Sequence, residues 1–324
     1  MPHVKRWSPP WTITDGRAGN VRQAVALATA LKLGAHRPLV LEPRAPWKWL
    51  APRWLPGAAA HGYGEPFATL AAQAPELAVG CGRQAAGALR ELRRRGSKVV
   101  QILDPRLGAR HWDLLVVPEH DRLRGGTVLT LLGSLNPVDD DWLTVGRAAF
   151  VSFGELPGPR TALLVGGPTP HAPWHEPDMA KVFLQVAEQL RAEGGSVLAT
   201  TSRRTPPALV GALRSAFADV PGVIWGDGGD GVNPYAGLLG WADRIVVSPD
   251  SVNLLSEACG TRVPVAVALE AQAQGRMVSF QQALHARGRL QQRWLDWDYP
   301  RAIEPLRETT RVAAQVKAAL QIPA

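Results

Sequence analysis

The chain has 324 residues, 46% hydrophobic and 20% charged, a balance that excludes a disordered chain and leaves room for two domains with proper cores. No apolar run reaches the length that spans a bilayer, and the opening MPHVKRWSPP lacks the apolar stretch of a secretory leader. A net charge of +8, with an isoelectric point near 10.1, points to an anionic partner, although a GC-rich coding background that enriches arginine would give the same number.

In chain order, residues 11–14 read as a strand, 21–33 as a helix and 37–41 as a second strand. Residues 77–80 lead into a helix over 84–95 that ends at Gly96, and strands follow at 98–103, 114–117 and 128–132. The run ELPGPR at 155–160 is the expected linker. Beyond it come a strand at 161–165, a helix at 177–193, a strand at 196–201, a helix at 206–218 and a strand at 222–225. Residues 233–267 then read as helix, strand, loop, helix, strand, and a last helix is expected over 304–320. This alternation builds parallel sheets covered on both faces, so an α/β fold of two such domains is expected, split near residue 156.

Loops that follow parallel strands gather at one edge of a sheet, and that edge holds most of the polar candidates. Asp15-Gly16-Arg17-Ala18-Gly19-Asn20 follows the first strand and opens a helix. Its glycines permit close backbone approach, the helix end attracts an anion and Arg17 adds donors. The spacing is not the dinucleotide fingerprint, which needs a third glycine. Asp15 suits a general base, and equally a turn-forming Asp that caps the helix. Asp104-Pro105-Arg106 and Glu119-His120-Asp121 also follow strands, and a lone histidine in such a loop reads by itself as a surface residue.

In the second half Gly166-Gly167 follows a strand, and Ser202-Arg203-Arg204-Thr205 follows the next, with Thr205 as expected cap and Pro206 as first helical residue. The two arginines suit a diphosphate, or are solvated loop residues. After Arg244–Val247, Pro249-Asp250-Ser251 breaks the strand, Asp250 or Ser251 caps the next helix, and Gly260 is expected to close it in a left-handed conformation. Asp250, Asn253 and Glu257 are spaced as one polar stripe, which suits phosphate on the helix end and ribose hydroxyls on the carboxylate; a capped helix with a solvated Glu is the alternative.

Twelve tryptophans are present, and three of them, Trp47, Trp49 and Trp54, crowd with Arg44, Lys48 and Arg53 into RAPWKWLAPRWLP. Indoles among basic residues favour the headgroup layer of an anionic membrane, and a loop packed on the first sheet is the competing reading. No finger, helix-turn-helix or basic-aromatic stripe supports nucleic acid as partner. His171, His175 and Glu176 lie close in sequence without a further ligand pair, so no metal is expected. Cys81 and Cys259 sit in different halves and suggest no disulfide, in keeping with a reducing cytoplasm.

The pieces WTITDGRAGN with Gln23, QILDPR, WDLLVVPEHD, LVGGP, TSRRTP, Asn233-Pro234-Tyr235 and SPDSVNLLSEACGTRVPV occur in that order over roughly four-fifths of the chain. Together they resemble the bacterial branch of the mitochondrial-fission-factor family of the elongated-mitochondria type. The resemblance implies two Rossmann-like parallel-sheet domains facing a central cleft, the GT-B-like class, with an acceptor-side domain at 1–156, a nucleotide-sugar domain at 157–300 and a returning helix at 301–324. It implies a cytoplasmic glycosyltransferase peripheral to the inner membrane, without a cofactor, taking a nucleoside-diphosphate sugar and a lipid-linked or envelope-glycan acceptor. Asp15 or His120 would be catalytic. Gly16, Arg17, Asn20, Asp104, Arg106, Gly166, Gly167, Ser202, Arg203, Arg204, Asn233, Tyr235, Asp250, Ser251, Asn253 and Glu257 would bind substrate, with the backbone of the glycines touching the donor phosphates. Pro168-Thr169 departs from the hydroxyl residue that several such enzymes carry directly after the glycines. A nucleoside-diphosphate-sugar epimerase and a non-catalytic membrane adaptor are the alternatives.

Overall fold

The computed structural model describes residues 7–53, 55, 57–121, 123–299 and 302–323. Its chain divides into two compact units, residues 1–137 with 308–324, and residues 138–307. In unit 1 the elements run β1 (Trp11–Thr14), α1 (Ala18–Ala30), β2 (Arg37–Val40), α2 (Trp47–Leu50), α3 (Glu65–Ala71), β3 (Leu77–Cys81), α4 (Arg83–Arg94), β4 (Lys98–Ile102), β5 (Leu114–Pro118) and β6 (Val128–Leu131). Unit 2 holds α5 (Asp140–Ala149), β7 (Arg160–Val165), α6 (Glu176–Glu193), β8 (Ser196–Thr201), α7 (Pro207–Ala216), β9 (Gly222–Trp225), α8 (Tyr235–Trp241), β10 (Arg244–Val247), α9 (Val252–Cys259), β11 (Val265–Val267) and α10 (Arg276–Ala286). The last helix, α11 (Glu308–Leu320), belongs to unit 1.

Both sheets are wholly parallel. Unit 1 has the strand order β2-β1-β3-β4-β5-β6 and unit 2 the order β11-β10-β7-β8-β9. Inner strands such as β3, β5 and β8 are buried at every position, as expected of strands covered on both faces. In unit 1, Phe67, Leu89 and Leu92 cover one face of the sheet, while Leu27, Leu31, Val312 and Val316 cover the other. In unit 2, Met179, Phe183 and Leu190 of α6 pack with Leu209 and Leu213 of α7 on one face.

The division at residue 137 lies ahead of the expected linker, because α5 packs on α8 of unit 2. Helix α5 itself was absent from the expected elements; its signal is Asp139, whose carboxylate accepts from the Trp142 amide at 2.7 Å. Helix α1 starts at Ala18 and not at residue 21, so Gly19 and Asn20 belong to its first turn. Helix α7 starts at Pro207 with Pro206 ahead of it, and the Thr205 hydroxyl donates to the Gly166 carbonyl at 2.6 Å instead of capping. Gly260 is right-handed (φ −72°), which corrects the expected left-handed closure. Close packing constrains it: a Cβ there would lie 3.1 Å from both the Glu257 carbonyl and Val138.

Helix α11 is tied to unit 1 by Glu308, which accepts from the Leu132 amide at 2.9 Å and pairs with Arg311. Its Val316 is fully buried. Val316→Ala removes two methyl-sized groups, and about 2 kcal/mol of unit 1 stability should go with them. Urea unfolding followed by hydrogen exchange should show α1 and α11 losing protection together; unchanged protection in α1 would contradict the packing described.

Candidate functional site

The strand C-termini of unit 2 converge on one buried carboxylate. The Asp250 side chain is fully buried, and three donors reach it: the Gly167 amide at 3.1 Å, the Trp174 indole N–H at 3.1 Å and the Arg204 guanidinium at 3.1 Å. These donors come from the loops after β7 and β8, so Asp250 ties three strand ends together. The Gly166 amide donates to the Ser248 hydroxyl at 2.7 Å. A Cβ on Gly166 would meet the Asp250 carboxylate at 2.1 Å, and one on Gly167 would meet the Arg204 carbonyl at 2.2 Å. Here the structure corrects the sequence reading of both glycines: protein acceptors engage their N–H groups, and close internal approach is what demands glycine. Asp250, too, is internally engaged and lies ahead of the helix.

Ser251 caps α9, its hydroxyl accepting from the Leu254 amide at 3.3 Å. The amides of Val252 and Asn253 have no protein acceptor among the described residues, as at any helix start. They open toward a cavity of about 500 Å³ whose lining includes Ser251, Asn253, Arg204, Arg276, His171 and Thr169. Sequence reading missed two of these. Arg276 is the first residue of α10, and its guanidinium has no side-chain partner among the described residues. His171 is brought in because its carbonyl accepts from Gln274 at 2.7 Å, next to α10. A Gly-Arg pair opening a helix was the available signal for Arg276. Arg203 is exposed, with no side-chain partner among the described residues, and Ser202 is used within its own turn, accepting from the Arg204 amide at 3.2 Å.

Glu257 departs from the solvated stripe: it is only 1% exposed, and its carboxylate accepts the Tyr235 hydroxyl at 2.5 Å. Tyr235 also stands edge-on to Trp142, ring centroids 6.4 Å apart. Asn233 is exposed, and its side-chain oxygen accepts the Tyr235 amide at 3.0 Å, so it shapes the entry to α8.

In unit 1 the candidates lie along one sheet edge in the order of their strands. Asp15, after β1, accepts from Asn20 Nδ2 at 2.8 Å and from the Arg17 amide at 3.3 Å, and the Arg17 guanidinium lies 3.5 Å from it. That is the geometry of a turn-forming Asp, here also fixed by an amide from the helix. Gly16 has φ +76°, which favours glycine, and a Cβ on Gly82 would strike the Asn20 amide at 2.6 Å. After β4 the Asp104 carboxylate accepts from the Arg106 amide at 2.7 Å, and Arg106 has φ +55°. After β5, His120 has a side chain only 8% exposed, 3.6 Å from Asp121, unlike the plain surface histidine. Strand β1 is separated from β5 by three neighbour steps, about 14 Å at roughly 4.8 Å each, so Asp15 and His120 are alternatives rather than a pair.

The Trp-rich segment divides. Trp47 is half-buried against the core and the Gly62 backbone, while Trp49 is 71% exposed. Trp54 lies outside the described residues. Among the described residues no three His, Cys, Asp or Glu side chains are grouped to hold a metal ion, and no helix is long and apolar enough to cross a membrane.

A sequence model of the family described as mitochondrial fission ELM1 matches residues 18–320. The chain belongs to that family. The mitochondrial fission protein ELM1 of Arabidopsis thaliana is 29% identical over 278 residues, covering 75% of this chain and 63% of that protein, so the match spans less than two-thirds of that relative. A proposed UDP-N-acetylglucosamine 2-epimerase from Listeria monocytogenes superposes with a TM-score of 0.58 at 12% identity, covering 97% of this chain and 96% of that one. The UDP-GlcNAc 2-epimerase of Neisseria meningitidis, solved with UDP-GlcNAc, gives 0.51 at 12% identity, covering 97% and 100%. At such identity the likeness shows the fold, the two-sheet GT-B-like class expected from the sequence.

Two predictions follow the internal bonding of this ELM1-family chain. Asp250→Ala leaves the Trp174 and Gly167 N–H groups buried without acceptors, at about 1–3 kcal/mol each, so its unfolding midpoint in urea should fall well below that of Asn253→Ala. Equal midpoints would show that Asp250 is dispensable. Burial, with the nearby Asp15 charge, pushes the Cys81 thiol well above its ordinary range, and burial pushes Cys259 up to about 12. Both should therefore stay protonated at neutral pH and resist a disulfide reagent until urea unfolds the chain; rapid labelling of either in the native protein would contradict its burial.

Proposed function

We propose that unit 2 binds a nucleoside-diphosphate sugar and that the protein is a GT-B-like glycosyltransferase, peripheral to a membrane, with a lipid-linked or envelope-glycan acceptor. The cavity at the opening of α9 carries this reading. There two amides without a protein acceptor among the described residues, the Arg204 and Arg276 guanidiniums and the positive end of a helix surround one space of about 500 Å³. That is a chemistry for a diphosphate, whose charge the arginines and helix end offset without calling for a metal. A relative in fold, the Neisseria epimerase, was solved with UDP-GlcNAc, which supports the ligand class.

In this reading the phosphates lie on the start of α9 with Ser251 and Asn253 beside them, and Arg203 reaches in from its loop. The same donors hold the diphosphate as it leaves, where negative charge grows during transfer. Glu257, held by Tyr235, takes the ribose hydroxyls. The acceptor side falls to unit 1, where Asp15 or His120 removes the acceptor proton and Arg17, Asn20, Asp104 and Arg106 contact the acceptor. Epimerase chemistry would need the donor alone, and a fission-type adaptor would need neither site.

The deciding experiment is a thermal-shift series over nucleoside diphosphates and their sugars, since a ligand at about 100 times its Kd adds about 2.7 kcal/mol of stability. One diphosphate series should raise Tm; no shift with any of them would favour the adaptor. The sugar recovered after incubation, read by NMR, then separates the enzymes. An epimerised nucleotide sugar would replace transfer with epimerisation, while label moving into a lipid extract supports transfer.

Arg276→Gln should weaken diphosphate binding by about 1.5–3 kcal/mol, the range for a hydrogen bond to a charged group, with the bare nucleoside hardly affected. Equal losses for both ligands would put Arg276 outside the phosphate site. Glu257→Ala orphans the Tyr235 hydroxyl and confounds folding with binding, so Glu257→Gln is the informative change. With the fold retained, it should lower affinity for ribonucleotides more than for 2′-deoxyribonucleotides, and an equal effect on both would remove the ribose contact.

A further inference from the structure

Unit 1 contains a second basic cavity, of about 540 Å³, at the edge where β3 and β4 end. Arg53, Arg83 and Arg106 line it together with Trp49, Leu50 and Asp104. None of the three guanidiniums has an ion pair or side-chain hydrogen bond among the described residues. Asp104 supplies one negative charge against three positive ones, leaving the lining at +2, and its carboxylate already accepts the Arg106 amide.

The local electrostatics are unfavourable without a partner. Arg83 is the first residue of α4, whose first turn holds no acidic residue, so a cation sits at the positive end of a helix dipole. Arg106 presents its side chain from a left-handed backbone, φ +55°, which carries strain for a non-glycine residue. Beside these cations, Trp49 and Leu50 are 71% and 40% exposed. The segment that carries them is pinned to α4, where Gln84 donates to the Lys48 carbonyl at 2.8 Å and Arg90 to the Pro52 carbonyl at 2.8 Å. The exposed indole is thus held at the rim of the cavity.

We infer that this cavity binds a phosphate monoester or diphosphate whose attached group is apolar, with phosphate oxygens on Arg53, Arg83 and Arg106 and the apolar group against Trp49 and Leu50. Guanidinium forks match phosphate oxygens, and an indole at the rim suits an apolar chain or ring leaving the site. The inference gives the acceptor side of the proposed transferase a chemistry and rests on that reading for its role, although binding itself needs no nucleotide. A lipid phosphate in a membrane and a soluble phosphate ester share this chemistry.

The test uses the full chain and two probes: phosphatidylcholine vesicles with and without phosphatidic acid in sedimentation, and inorganic pyrophosphate in calorimetry. The triple variant Arg53→Gln/Arg83→Gln/Arg106→Gln removes exposed, unpaired charges and should leave the unfolding midpoint unchanged. It should weaken vesicle binding at least about tenfold and remove one of two pyrophosphate-binding events, the other belonging to the cavity of unit 2. Trp49→Ser should weaken vesicle binding while leaving pyrophosphate unaffected, which marks a membrane lipid as the source. Loss of that one pyrophosphate-binding event in the triple variant, with no vesicle binding by the wild type, marks a soluble ester. Failure of the wild type to bind either probe, or a folded triple variant that binds both equally well, overturns the site. Nucleotide thermal shifts on the same triple variant keep the readings apart, because the unit 2 site should respond as in the wild type.

Discussion

The arrangement of unit 2 depends on a carboxylate that water does not reach. Asp250 would be an expensive group to bury alone, and it is tolerated because an amide, an indole and a guanidinium converge on it. The consequences spread outward from those bonds. Two glycines must follow β7, because any side chain there would occupy the space of the carboxylate or of the Arg204 backbone. The loop after β8 must turn back so that Thr205 bonds the Val165 and Gly166 carbonyls and Arg204 reaches Asp250. Ser251, next in the chain, is thereby placed to cap α9, and the free amides of that helix face the cavity.

Unit 1 solves a similar problem with less charge. Asp15 is held by Asn20, and Asn20 in turn lies against Gly82 and within 3.5 Å of the Cys81 sulfur. The end of β1 and the end of β3 are therefore locked through an amide side chain, where unit 2 uses an ion pair. This leaves Asp15 partly exposed, as a group that takes up a proton must be, whereas Asp250 is sealed. Burial separates the two aspartates into a reactive candidate and a structural one, although each follows a strand and precedes a helix.

The fold was legible because parallel strands covered on both faces must be apolar at nearly every position, and runs such as Leu114–Pro118 carry that mark locally. Helix α5 was overlooked, since Asp139 caps a helix whose apolar face is narrow. Candidate positions were legible where a place at a loop or helix start sufficed: Ser251, Asn253 and Arg204 line one cavity. What sequence could not show was direction. Asp250 and the glycines sit at the positions expected, but their polar groups turn inward to Arg204 and Ser248, and Glu257 is bonded to Tyr235. Arg276 and His171 escaped notice for a different reason. They come from a helix and a loop more than a hundred residues apart, joined by a backbone bond between Gln274 and His171 that no local pattern encodes.

Arg204 and Arg276 differ in a way that bears on how such a site can work. Arg204 is already compensated by Asp250, so its charge is partly spent inside the protein and its position is fixed before any ligand arrives. Arg276 has no side-chain partner among the described residues and sits at the start of its own helix, where the dipole makes a lone cation less comfortable. A dianionic ligand would gain geometry from the first and charge from the second. Preorganisation and net attraction then come from separate residues, which lets the scaffold keep its buried ion pair whether or not the cavity is filled. A site built from Arg204 alone would have to break its pair with Asp250 to bind fully, and would leave the buried carboxylate with neutral donors only.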